Sequence, residues 1–148
     1  MEAVAGAILI EAARGAATHA HAPYSRFAVG AALLLDDGTI VTGTNFENAS
    51  YGLSLCAETV ALATANSAGR MADVVAIGIV GGAIGPGGAL TGAAPVRPCG
   101  RCRQVLTESA QLAGRDIMVH CASGDGTAVE RHMLSELLPF AFGPDDLV

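Results

Sequence analysis

Alanine and aliphatic side chains fill the first stretch of the chain, interrupted by Glu11 and Arg14 and halted before Pro23, which predicts a helix from about Glu2 to His19. Two apolar runs rich in small and β-branched residues follow, Ala28 to Leu35 and Thr39 to Thr44. Asp36-Asp37-Gly38 joins them, and Asp-Gly between such runs predicts a β-hairpin. Asn45 to Ser54 reads as a polar loop, with Ser54 the expected cap of a helix from about Leu55 to Ala68. Asp73 to Val80 reads as a short strand, and the glycine- and proline-rich residues 81–95 as a loop. A helix from Cys99 to about Leu112 is expected behind Pro98, since a helix start tolerates proline. Ile117 to Cys121 reads as a strand, and Arg131 to Leu138 as a last short helix or turn. Neither an internal repeat nor a domain boundary is visible, so residues 1–148 read as one domain. Helices interleaved with strands predict a layered α/β sandwich around a mixed sheet.

Composition narrows the partners. The chain is 51% hydrophobic and 15% charged, with no tryptophan, which leaves few charges to cover an isolated domain and favours burial between subunits. A net charge of −6, with eight basic residues, argues against nucleic acid, because neutralising phosphates needs clustered Lys and Arg. The longest apolar stretch near the N-terminus, Ala3 to Ile10, is too short for a membrane span and lacks the basic flank of a signal peptide. The four cysteines are therefore expected to be reduced and the protein cytoplasmic.

The chemistry concentrates in Cys56-Ala-Glu58 and Pro98-Cys99-Gly-Arg-Cys102. A catalytic zinc takes three protein ligands and keeps its fourth position for water. Cys56, Cys99 and Cys102 offer three thiolates, and Glu58 offers a carboxylate that can face the open position as a proton carrier. Both segments are expected to open helices, where backbone N–H groups and the dipole favour negative charge and lower thiol pKa values. A structural site would need a fourth protein ligand, yet Cys121 and the histidines at 19, 21, 120 and 132 lack a ligand-like spacing to the other three. Cys121, at the end of an apolar run, reads as a small buried hydrophobe, and His19 and His21 as solvated or capping residues. Glu58 alone would pass for a first-turn carboxylate, Asn45 and Glu47 for loop residues, and Phe27 and Phe142 for core. Gly81 to Gly92 lacks the Lys-Ser/Thr ending of a phosphate loop and reads as surface loop.

C-x-E followed by P-C-x-x-C is the pattern of zinc-dependent nucleobase deaminases. Tyr24-Ser-Arg-Phe-Ala-Val-Gly-Ala-Ala-Leu33, Asn45-Phe-Glu-Asn-Ala-Ser-Tyr-Gly52, Cys56-Ala-Glu58, Pro98-Cys-Gly-Arg-Cys-Arg-Gln104 and Leu137-Leu-Pro-Phe-Ala-Phe-Gly-Pro144 occur in that order. Together they resemble the small homotetrameric cytidine deaminases, from about residue 20 to the C-terminus. The resemblance implies a three-layer α/β/α sandwich with a five-stranded mixed sheet and one Zn²⁺ per chain. It also implies hydrolytic deamination of cytidine and 2′-deoxycytidine in pyrimidine salvage, with Glu58 moving the protons. Asn45 and Glu47 match the pair that holds the ribose 3′-hydroxyl, Phe27 lines the base and ribose side, and Ala57 offers its N–H to the base carbonyl. Ala49, Tyr51 and Phe142 match positions that reach the site from another subunit, Phe142 stacking on the base. The family commonly places an arginine after the catalytic Glu to offset thiolate charge. Thr59 stands there, so Arg103 is the expected compensating cation. The alternatives are a deaminase of the same fold acting on another aminopyrimidine nucleoside, such as a nucleoside antibiotic, and a non-catalytic zinc-stabilised binding module.

Overall fold

The computed structural model describes residues 2–147. Helix α1 (Glu2–Ala17) leads into the hairpin β1 (Phe27–Leu35) and β2 (Ile40–Thr44), followed by α2 (Ala57–Ser67) and β3 (Val74–Ala83). Then come α3 (Gly100–Ala113), β4 (Met118–Ser123), β5 (Val129–Met133) and the single turn α4 (Leu134–Leu137). The sheet order is β2-β1-β3-β4-β5, with β3 and β4 parallel and the other neighbours antiparallel. The expected Asp-Gly hairpin is present: Gly38 takes φ +90° and Asp37 Oδ1 accepts the Thr39 N–H at 3.0 Å.

Period-two alternation sends each strand's side chains to two different cores. Ala31, Leu33 and Leu35 of β1, with Ile77 and Ile79 of β3, pack beneath α2 and α3 together with Ala61, Leu62 and Leu106. Ala32, Ala76 and Val80 face the other way, against Leu9 and Ala13 of α1. The result is the expected three-layer α/β/α sandwich with a five-stranded mixed sheet.

Two glycines set how closely the helices lie on the sheet. A Cβ at Gly30 would sit 1.9 Å from the Ala13 carbonyl oxygen, so α1 crosses β1 backbone to backbone. A Cβ at Gly43 would sit 2.5 Å from Ala61 N and 2.6 Å from Ala57 O, so α2 rests directly on β2.

Three boundaries differ from the sequence expectation. Cys56, not Ser54, is the cap of α2, in an extended conformation with φ −77° and ψ 155°. β3 continues to Ala83, and Gly81 and Gly82 belong to it, paired with Val29 and Ala28, so the glycine-rich stretch is not loop throughout. A side chain at Gly82 would meet the Thr91 carbonyl at 2.1 Å, which explains glycine inside this strand. Residues 131–133, expected in a helix or turn, pair with β4 as the edge strand β5. The tight turn before them, with Asp125 Oδ1 accepting the Thr127 N–H at 2.9 Å, returns the chain antiparallel. No helix among the described residues is long and apolar enough to cross a membrane.

Candidate active site

The N-termini of α2 and α3 converge on one point. Cys56 caps α2 and Cys99 caps α3, both with extended backbone, and Cys102 lies in the first turn of α3. Pro98 immediately precedes the Cys99 cap, which keeps Arg97 out of helical conformation and fixes where α3 begins. The three Sγ atoms lie within 4.8 Å of one another, with Cys56 and Cys99 at 3.8 Å, and all the cysteines are free thiols. Tetrahedral zinc with Zn–S bonds of about 2.3 Å holds its sulfurs roughly 3.8 Å apart, so the donor set fits that ion in both chemistry and spacing. Among the described residues this is the one such cluster, and no histidine or carboxylate belongs to it. Three protein donors would leave one corner of a tetrahedral ion free.

Glu58 sits in the first turn of α2 and is 4% exposed. Burial pushes its carboxyl pKa up, partly offset by hydrogen bonds from its own N–H and from Cys102. A hydrogen bond from Cys102 draws the Cys56 thiol below the usual range, while that same contact and burial push Cys102 above it. Cys121 stands apart on β4, fully buried and pushed up to about 12 by desolvation, as a core thiol should be. His19 and His21 are exposed, His120 is buried against Gly6 and His132 pairs with Glu130 at 3.0 Å.

A cavity of about 250 Å³ opens beside the thiols, lined by Val29, Asn45, Glu47, Cys56, Ala57, Glu58, Val96, Arg97 and Cys99 among others. Main-chain bonds of 3.1 Å in both directions between Phe46 and Leu55 clamp the loop carrying Asn45 and Glu47 against the lead-in to α2. Asn45 accepts the Val29 N–H and donates to the Phe27 carbonyl, which ties it across to β1. Glu47 Oε1 accepts the N–H groups of Tyr24 and Ser25, each at 3.1 Å. A hydrogen bond with the Ser25 side chain, together with those two N–H groups, holds its pKa below the usual range. An adjoining hollow contains Tyr24, Tyr51 and Glu47, the two rings 5.5 Å apart.

Phe27 heads β1 and is 39% exposed, while Ala49, Tyr51 and Phe142 are exposed and lie outside the cavity lining of their own chain. Arg103 donates Nε–H to the Pro98 carbonyl and Nη1–H to the Leu137 carbonyl. The Thr59 Oγ1 lies 3.3 Å from Cys102 Sγ, within hydrogen-bond reach of that sulfur. Sequence reasoning missed Val29, Val96 and Arg97 as lining residues. Val29 belonged to a strand it did locate, whereas Arg97 is placed by its pairing with Glu130 on β5, an element unseen beforehand. Two roomier hollows, about 450 Å³ against α3 and the C-terminal segment and about 470 Å³ between α1 and β5, lie away from the thiols.

Residues 7–119 match the family model described as the cytidine and deoxycytidylate deaminase zinc-binding region. A cytidine deaminase of Halalkalibacterium halodurans is 46% identical over 140 residues, 95% of this chain and 96% of the relative. One of Mycobacterium tuberculosis is 44% identical over 132 residues, 89% of this chain and 85% of the relative. The crystal structure of cytidine deaminase from Burkholderia pseudomallei superposes with a TM-score of 0.77 at 43% identity, covering 92% of this chain and 98% of that one.

Proposed function

The chain belongs to the cytidine and deoxycytidylate deaminases, a zinc-binding family, and from that premise we propose how its own residues carry out the hydrolytic deamination of cytidine to uridine and ammonia. The observation that carries the reading is a three-thiol cluster with one open corner beside a buried carboxylate. Cys56, Cys99 and Cys102 would hold the zinc, which would supply a Lewis acid that polarises and acidifies a water.

Glu58 moves the protons. Its carboxylate accepts one from the attacking water as the C4–O bond forms, and passes it to ring N3. It then carries the remaining proton to the amino nitrogen, so that the C4–N bond breaks, ammonia departs and a C4 carbonyl remains. A carboxyl raised by burial suits both halves of that task, because it holds the accepted proton more firmly than a solvated carboxylate would before passing it on. The Ala57 N–H, at the head of α2, holds the base carbonyl. Glu47 and Asn45, braced by the backbone of residues 24–29, hold the ribose hydroxyl, and Phe27 lines the base and ribose side. Gripping the ribose favours cytidine and 2′-deoxycytidine over the free base, as pyrimidine salvage requires.

The whole chain serves as one catalytic domain, working as a homotetramer in the cytoplasm. The cavity of a single chain, about 250 Å³, falls below the roughly 300–1,000 Å³ of most ligand pockets, which supports a missing wall. Tyr24 and Tyr51 line the adjoining hollow, and Phe46 and Leu53 stand exposed on the loop that carries Tyr51; Ala49, Tyr51 and Phe142 of a neighbour complete the site.

Incubating the zinc-loaded protein with cytidine, 2′-deoxycytidine and cytosine, and following absorbance loss and ammonia, tests the reading. Turnover of both nucleosides and little of the base is expected. Turnover of none removes the enzyme from this reaction.

A further inference from the structure

We propose that Thr59 completes the metal centre as a positioning residue, its hydroxyl donating a hydrogen bond to Cys102 Sγ and holding that thiolate in ligating orientation. The two atoms are 3.3 Å apart, and Cys102 is fully buried. A hydroxyl–thiol pair can be polarised either way, but a cysteine that ligates zinc is deprotonated and cannot donate. Loading the metal therefore fixes the direction: Thr59 donates and Cys102 accepts. Among the described residues the Thr59 hydroxyl has no other hydrogen bond, so its single proton is free for this role. Arg103, the residue after Cys102, spends Nε–H and Nη1–H on two backbone carbonyls.

Position adds to the argument. Thr59 stands in the first turn of α2, whose cap is Cys56, while Cys102 stands in the first turn of α3, whose cap is Cys99. The bond thus ties the two ligand-bearing helix ends to each other before any metal arrives. Threonine is also stiff about χ1, so the hydroxyl loses little freedom in being aimed. The inference rests on the reading of Cys102 as a zinc ligand.

Zinc affinity, measured by competition with a chromophoric chelator, is the test. Thr59→Val keeps the shape and removes the donor, and it should bind zinc about 10- to 100-fold more weakly, the usual cost of losing a partner that orients a ligand. Thr59→Ser restores the hydroxyl and should come back most of the way. Cobalt loading gives a second readout: the thiolate-to-cobalt charge-transfer band should shift in Thr59→Val and return in Thr59→Ser. If the valine variant does not fold, Thr59→Ala makes the same comparison. Unchanged affinity and an unmoved band in the variant lacking the hydroxyl, with zinc lost from Cys102→Ala, overturn the proposal and leave the three-thiol site standing. Full zinc affinity in Cys102→Ala overturns the reading beneath it.

Discussion

At the scale of single residues, the proposed site separates groups that would touch the metal from one that would move protons. Cys99→Ala and Cys102→Ala should each abolish zinc binding and turnover, measured by metal analysis and cytidine conversion. Cys121→Ser should keep both, although a hydroxyl in the β4 core costs about 1–3 kcal/mol in denaturant unfolding. A metal requirement for Cys121 would turn the open site into a closed one. Glu58→Gln should retain zinc and fold but lose turnover by at least about 10²- to 10⁴-fold, the usual worth of a positioned proton carrier. The same substitution makes a second forecast for the zinc-free protein. Burial raises the folded pKa of Glu58 above the unfolded value of about 4.3, so the folded chain binds the proton more tightly and loses stability as pH rises through that value. Glu58→Gln should therefore raise the urea midpoint at pH 7, with the gain vanishing below about pH 4. A lower midpoint at pH 7 would contradict the burial argument.

At the scale of elements, what positions the site is the arrival of two helix N-termini at one corner of the sheet. Gly43 makes that possible for α2, since any Cβ there strikes the backbone at Ala57 and Ala61. Gly43→Ala should lower unfolding stability by about 1–3 kcal/mol through overpacking and also weaken zinc binding, because the displaced helix carries the Cys56 cap. Loss of stability with undiminished zinc affinity would mean that the cap is positioned by other contacts. Much of this level was legible in the chain. The cysteine words predicted that both ligand segments open helices, and the Asp-Gly turn and apolar runs predicted β1, β2, β3 and β4. The cap of α2 was misplaced because Ser54 has the better intrinsic capping chemistry, whereas the Phe46–Leu55 bridge holds the chain extended until Cys56. β5 was missed because Val129-Glu-Arg-His-Met133 is a half-exposed edge whose pairing with β4 is a long-range fact. Gly81 and Gly82 read as loop because glycine signals a break locally, while here it makes room for the Thr91 carbonyl.

At the scale of the whole molecule, the C-terminal aromatics of a single chain face outward. Phe140 is fully exposed and Phe142 is 60% exposed, and Gln104 donates a hydrogen bond to the Phe142 carbonyl. We propose that this exposed aromatic pair inserts into a neighbouring subunit. Phe142→Ala should then reduce turnover through weaker binding of the base. Stacking on an aromatic ring is worth about 1–3 kcal/mol, or roughly five- to 150-fold. Glu58→Gln is inactive for a separate reason, which makes the two variants complementary. When they are unfolded together and reassembled, some sites combine the intact Glu58 of one subunit with the intact Phe142 of another. Activity of the mixture should exceed the mean of the two parents. With subunit exchange verified by native mass spectrometry, activity no higher than that mean places the aromatic tail on its own chain's site and removes the shared wall.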